Sequence, residues 1–287
     1  MKIKLFVLAI LMSSSLKVDA ADKRIAITID DAPMPSTRLF TGIDRTKKII
    51  SHLKAINRAG IFVLGINLSS QNGKDRIQLY DNAGHMIGNH TYSHYNCRKV
   101  SAQIFMDDIE KAHELIKQYK NFRPIFRYPY LNECNSQGTK NKIGIFLEKK
   151  SYINGYITIV TLDWYMNYLM QKNLKQGKQI DYHKLKQIYL QTTLDCINFY
   201  YKVYLDRLGF APPHSLLLHE NDLNALYLGD LIDLLKDEGW EIIDPEDVYI
   251  DLEITEMVNK TRKNLPNLDI LQPKVIRKLL EKEGVIK

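Results

Sequence analysis

Ile25-Ala26-Ile27-Thr28-Ile29-Asp30-Asp31-Ala32-Pro33 is the stretch on which the fold turns. It is a short run, almost continuous in apolar residues, that stops on two adjacent carboxylates and a proline. Such a run fits a strand covered on both faces in a parallel sheet. Two neighbouring acids at the end of a strand are normally avoided. Side-chain alternation would send them to opposite sides, one to hold a metal ion and one to address substrate. A hydrated turn leading into a helix is the other reading of the pair.

Working outward, similar apolar runs recur at Ile61 to Ile66, Met86 to Gly88, Ile125 to Phe126, Tyr156 to Val160, Leu216 to Leu218 and Trp240 to Ile243. Between them, segments such as 44–59 and 101–119 carry apolar residues at three- and four-residue spacing, the mark of amphipathic helices. This alternation predicts an α/β chain, and seven strands suffice for a closed or nearly closed (β/α) barrel with its chemistry at the strands' carboxyl ends. Polar residues stand there in number: Asp30 and Asp31 after Ile29, His90 after Gly88, Arg127 after Phe126, Asp163 after Val160 and His219 after Leu218. An open doubly wound sheet also places ligands at strand ends, so this pattern leaves both architectures standing. The long segment 165–213 reads as a crossover helix plus a loop bordering a substrate groove. After Asp244-Pro245 the tail is amphipathic and predicts one or two helices packed on the barrel.

The chain opens on Met1-Lys2-Ile3-Lys4, an apolar run from Leu5 to Met12, and Val18-Asp19-Ala20. A basic start, a short apolar segment and a small-residue cleavage site predict a secretory signal over residues 1–20, with a retained anchor as the alternative. With no other long apolar stretch, the expected mature protein is periplasmic or secreted and not stably inserted in a membrane. The 287 residues carry a formal charge of +7, and the lysines are scattered without an aromatic-interleaved basic stripe. That distribution describes a solvated surface and no nucleic-acid site. Oligomeric state is not legible.

His90-Thr91-Tyr92-Ser93-His94 is the strongest local signal, because histidines four apart on a helical turn point the same way and can share one divalent ion. A chance pair of surface histidines is the bland reading. Two histidines with a carboxylate form a common catalytic set that leaves positions open for water and substrate; zinc is the first expectation, although other divalent transition metals suit these ligands.

In order, Thr28-Ile29-Asp30-Asp31-Ala32-Pro33, His90-Thr91-Tyr92-Ser93-His94, Arg127-Tyr128-Pro129-Tyr130, Asp163-Trp164 and Leu216-Leu217-Leu218-His219 resemble the five motifs of the NodB-homology polysaccharide deacetylases, the carbohydrate esterase family 4 type. The resemblance runs from about residue 24 to 250. It implies a distorted (β/α) barrel, here divided as signal 1–20, catalytic domain 21–250 and C-terminal helical extension 251–287. It further implies that Asp31, His90 and His94 bind the metal, Asp30 is the general base held by Arg127, His219 is the general acid, and the Tyr130 backbone N–H helps stabilise the oxyanion. Trp164, Asp163 and Tyr128 would address the substrate, an acetylated cell-envelope or extracellular glycan. Duller roles exist for three of them: Arg127 as a structural ion pair, Trp164 as a core aromatic, His219 as a satisfied buried histidine. Cys97 and Cys134 each follow one of these motifs, so they are expected to pair, leaving Cys196 free.

The chain departs from the family pattern at three places. Ala32 and Leu131 stand where glycines are usual, so both loops are expected to take altered paths. Val160 stands where many members carry the acid that supports the catalytic histidine, leaving Asp163 or Glu220 as the substitute. The stretch from His219 to Ala225 also differs from the usual ending. Two competing readings follow: a metal hydrolase of a small non-sugar amide, and a glycan-binding protein impaired in turnover.

Overall fold

The computed structural model describes residues 23–262, 264–265 and 272–286; the predicted signal at 1–20 lies outside the described residues. Strands and helices alternate as the sequence pattern demands: β1 (Arg24–Ala32), α1 (Gly42–Leu53), β2 (Gly60–Val63), α2 (Gln71–Asn82), β3 (Met86–Asn89), α3 (Ala102–Ile116), β4 (Phe122–Phe126), α4 (Gln137–Lys149), β5 (Ile153–Asn154), α5 (Asp163–Lys175), α6 (Tyr182–Leu208), β6 (His214–His219), α7 (Asp222–Asp237) and β7 (Glu241–Ile242), then α8 (Leu252–Arg262) and α9 (Pro273–Lys282). Six helices begin on a side chain that accepts the backbone N–H three residues on: Thr41, Ser70, Ser101, Ser136, Asp181 and Asn221. α5 has no such cap.

The strands form a parallel sheet in the order β5-β4-β3-β2-β1-β6, with β7 pairing the start of β1. This sheet cannot be flat. Asn154 lies beside β4, and five residues later Ile159 bridges Leu216 of β6. Five residues of extended chain span at most roughly 17 Å, whereas five strand spacings across a flat sheet come to about 24 Å. The sheet therefore curls into a distorted barrel, and residues 155–161 close the gap. The strand predicted at Tyr156 to Val160 is thus replaced by the two-residue β5 and a single bridge. The segment 165–213 is also corrected: it holds two helices, the second 27 residues long, joined by a short turn.

Alternation along β1 sorts the core. Ile25, Ile27 and Ile29 face the helices, in one cluster with Ile49 and Leu53 of α1 and Leu228 and Leu231 of α7. Ala26 faces the barrel interior with Phe62, Met86, Ile125 and Tyr249. Thr28 and Asp30 point the same way as Ala26, and this parity aims the base candidate inward. The C-terminal helices belong to the core: Ile276 and Leu280 of α9, with Val285 and Ile286, join the cluster that includes Tyr165 and Leu169 of α5.

Candidate active site

β1 does not end regularly. Its pairing with β2 is in step at Thr28 and Ile29 and slips before Ala32, and Asp31 takes φ 67°. The slip breaks the expected alternation. Both carboxylates turn into one cleft, with Asp30 Oδ2 3.7 Å and Asp31 Oδ1 3.5 Å from His90 Nε2.

The His90–His94 segment is not the predicted helical turn. Thr91 and His94 have φ 67° and 57°, and the loop is held from outside. Asp108 of α3 accepts the N–H groups of Tyr92 and Ser93, Asn89 accepts that of Thr91, and Thr91 Oγ1 accepts that of His94. The imidazoles still converge, with ring centroids 4.9 Å apart. His90 Nδ1 lies 2.9 Å from the Arg127 carbonyl oxygen; the proton belongs on that nitrogen, which leaves the Nε2 lone pair facing the cleft.

Asp31, His90 and His94 bring one ligand atom each to within 4.8 Å of one another. Asp31 Oδ1 is buried without a hydrogen-bond partner, 3.5 Å from His90 Nε2 and 3.4 Å from His94 Nε2. Two ligand atoms about 2.0–2.1 Å from a tetrahedral ion lie about 3.4 Å apart. The donor set therefore fits a divalent ion, and an ion would satisfy the orphaned carboxylate oxygen. Burial and the neighbouring His90 hold His94 below the ordinary histidine value, against the pull of Asp31 and Asp30, which keeps its lone pair available.

Arg127 fills the barrel interior. Its guanidinium lies 3.6 Å from the Phe62 ring centroid and donates to Gly155 O, Thr28 Oγ1 and Asp30 Oδ1, the last at 2.5 Å. Gly88 leaves room for this stack: a Cβ there would lie 2.8 Å from the Phe62 ring. One carboxylate oxygen of Asp30 is thereby clamped to Arg127 while the other faces His90.

His219 is the register partner of Asp30 on the adjacent strand. Its Nδ1 lies 2.9 Å from Asp163 Oδ1, and Asp163 is fully buried, its Oδ2 accepting from His219 N–H, Asn221 Nδ2 and Asn224 Nδ2. Burial pulls the His219 imidazole down, but Asp163, with Asp31 and Asp30 further off, outweighs it and raises the value to about 9. Burial pushes Asp163 up, and His219 together with Asn224 holds it below the ordinary carboxylate value. Asp163 thus makes a carboxylate contact with His219 that Val160 cannot, and its expected contact with substrate is corrected: no surface of it reaches the cleft. Glu220 cannot substitute, since it faces away from the cleft to accept from Arg76 Nη2, Thr46 Oγ1, Tyr80 OH and Met34 N–H. That network pins the loop after Pro33, and sequence reading missed it.

Tyr130 and Trp164 border the cleft, 63% and 45% exposed, with Leu131, Val160 and Leu217 as apolar wall; Trp164 is not a core aromatic. The cleft measures about 400 Å³. Tyr130 and Leu131 both take left-handed backbone, φ 57° and 52°, so Leu131 keeps a conformation that glycine would adopt without strain. With Asp31, Thr91 and His94, five non-glycine residues of this kind crowd one site, the pattern of strain concentrated at functional positions. Tyr128 does not line the cleft. Its ring stacks on Phe105 and abuts Phe126, which overturns its expected contact with substrate. Below these loops the Cys97–Cys134 disulfide forms as expected, and Cys196 is free and buried.

Comparison with known proteins agrees with this geometry. Residues 17–142 match the family profile described as polysaccharide deacetylase. A peptidoglycan-N-acetylglucosamine deacetylase of Bacillus cereus is 29% identical over 141 residues, 49% of this chain and 46% of that one; the chain spans about half the length of this curated relative. Among solved structures, the peptidoglycan deacetylase PdaC from Bacillus subtilis superposes with a TM-score of 0.52 at 19% identity, covering 92% of this chain and 99% of that one. A CE4 family pseudoenzyme from Bacillus anthracis superposes with a TM-score of 0.53 at 18% identity, covering 77% and 63%.

Proposed function

Because residues 17–142 match the polysaccharide deacetylase family, we propose that this chain is an exported hydrolase that removes acetyl groups from a cell-envelope glycan, with Asp30 as base, His219 as acid and zinc on Asp31, His90 and His94. The observation that carries this reading is the pairing of Asp30 with His219 at the ends of adjacent strands, over a cleft that also holds the three ligand side chains. A pure binder has no need of both an acid and a base.

A divalent ion, which Asp31, His90 and His94 would hold, would polarise the acetyl carbonyl and acidify water. The chain's own residues do the rest. Asp30, fixed by Arg127 through one oxygen, takes the proton of the attacking water with the other. The Tyr130 backbone N–H stabilises the charge that develops on the carbonyl oxygen. His219, kept protonated by Asp163, delivers its proton to the departing amine or alkoxide, and Trp164 with Leu217 walls the acetyl methyl. The relatives named for peptidoglycan make an N-acetylated wall glycan the first substrate to try. Export agrees with the disulfide.

The test is acetate release from a panel of acetylated glycans by the zinc-loaded chain, by the chelated chain and by Asp30→Asn. Release that a chelator abolishes and that Asp30→Asn lowers by about 10²–10⁴-fold with zinc still bound is the expected outcome. Zinc binding with no release from any glycan would move the protein to the binding class.

A further inference from the structure

The solvent face of α5 is unusual in composition. The helix runs from Asp163 to Lys175, and its exposed residues are Trp164, Tyr168, Lys172 and Lys175. At 100° per residue these four positions fall within about 80° of arc, a single stripe about 16 Å long. One end of the stripe is in the catalytic cleft, through Trp164. Further along, Tyr168, Lys172 and Lys175 border a second hollow of about 250 Å³. The stripe therefore continues the cleft as two aromatic rings followed by two ammonium groups.

Both parts are built features. Tyr165, buried between the two aromatics, supports each of them: its ring is 5.4 Å from Trp164 edge-on and stacks 5.9 Å from Tyr168. Arg277 of α9 donates to the Tyr165 hydroxyl from below. Large aromatic rings held half out of the surface, 45% and 50% exposed, offer flat apolar faces to a ring that is apolar on one side and hydroxylated at its edge. Lys172 and Lys175 have no carboxylate partner among the described residues, unlike Lys117, Lys150 and Lys186 elsewhere on the surface. Arg38 donates to the carbonyls of Leu174 and Lys175 and adds a third cation at that end.

We propose that this stripe is an extended subsite for an acidic glycan chain, with sugar rings stacked on Trp164 and Tyr168 and carboxylates of the chain met by Lys172 and Lys175. The proposal rests on the deacetylase reading for the direction of the chain, since the sugar at Trp164 is the one presented to Asp30 and His219. It narrows the substrate from acetylated glycans in general to those carrying carboxylates a few sugars from the scissile acetyl group.

The experiment uses the full zinc-loaded chain and two probes: glycan strands bearing free carboxylates, and neutral N-acetylglucosamine oligomers of equal length. Binding is read from the fluorescence of Trp164, the other tryptophan, Trp240, being buried, and turnover from acetate release. Lys172→Gln with Lys175→Gln is expected to raise KM and Kd for the acidic strands at least fivefold, leaving kcat and the neutral oligomers within twofold. Tyr168→Ala is expected to weaken both probes. Equal affinity of the double lysine variant and the parent for the acidic strands overturns the cationic half, and an unchanged Tyr168→Ala overturns the aromatic half. If no acetate is released while lysine-dependent binding persists, the subsite stands and the deacetylase reading fails; release insensitive to both substitutions gives the reverse.

Discussion

The imidazole of His219 meets two opposed influences, and the outcome depends on one carboxylate. Burial alone would hold it neutral, yet the contact with Asp163 carries it to about 9, so it is a cation at neutral pH and able to give a proton. Asp163→Asn keeps the shape and removes the charge. The alkaline limb of kcat/KM is then expected to move from near 9 to about 6.5 or lower, and acetate release at pH 8 to fall on the order of 10–100-fold, more than at pH 6. An unchanged limb would show that another group gives the proton. The same pair ties stability to pH. His219 is raised above its unfolded value of 6.5 and Asp163 is depressed below 3.8, so their contribution is fully present between about pH 4 and 6.5. It is lost as pH rises through 9 and as pH falls below the depressed Asp163 value. The sequence made Asp30, Asp31, His90 and His219 legible because each is a polar residue where an apolar strand stops, and His94 legible by its spacing from His90. Asp163 was legible as a strand-end acid but its orientation was not. Its side chain turns under His219 because α5 starts there, and the two asparagines that fix it lie about sixty residues away.

Between strands, the site is made of loops, and the loops are where periodicity misleads. The four-residue spacing of His90 and His94 predicted a helical turn; the same convergence arises from two left-handed residues clamped by Asp108 of α3. The Arg127-Tyr128-Pro129-Tyr130 segment bends through Tyr130 and Leu131 in the same conformation. These two strained loops are joined just beyond their functional residues by Cys97–Cys134, which packs with Phe105 and Phe126. Closing 37 residues of chain corresponds to about 4 kcal/mol of unfolded-state entropy. Cys97→Ser with Cys134→Ser is therefore expected to lower the denaturation midpoint and, because His94 and Tyr130 sit on the tethered loops, to weaken zinc binding by tenfold or more. Competition with a fluorescent chelator measures the second effect. A variant that loses stability but keeps its zinc affinity would make the disulfide a staple of the fold and nothing more at the site.

At the level of the whole molecule, the curled sheet brings together side chains from the ends of four strands, β1, β3, β4 and β6, and the crossing at residues 155–161 carries both Gly155, which receives Arg127, and Thr161, which leads into Asp163. Sequence reading counted the strands but had no means of seeing which of them closed the barrel, since closure depends on a single bridge. It did read the C-terminal tail as helices packed on the barrel, and Ile276 and Leu280 pack under α5. A core this continuous does not depend on an ion for its folding, in contrast to small zinc domains. The ion should therefore act as a ligand of an already folded barrel. At free zinc 100-fold above the dissociation constant the linkage is about 2.7 kcal/mol, roughly 5–10 °C in Tm for a chain of this size. Asp31 makes the sign of this effect testable. Without an ion its Oδ1 is buried with no hydrogen-bond partner, so Asp31→Asn removes an unsatisfied carboxylate oxygen and is expected to leave Tm unchanged or raised in chelator. With zinc the same substitution removes a ligand and is expected to lower Tm by several degrees relative to the parent. Thermal melts of the two proteins with zinc and with chelator, followed by circular dichroism to confirm that the barrel persists in both, decide the matter: a substitution that destabilises equally in the two conditions would mean that Asp31 serves the loop and not the ion.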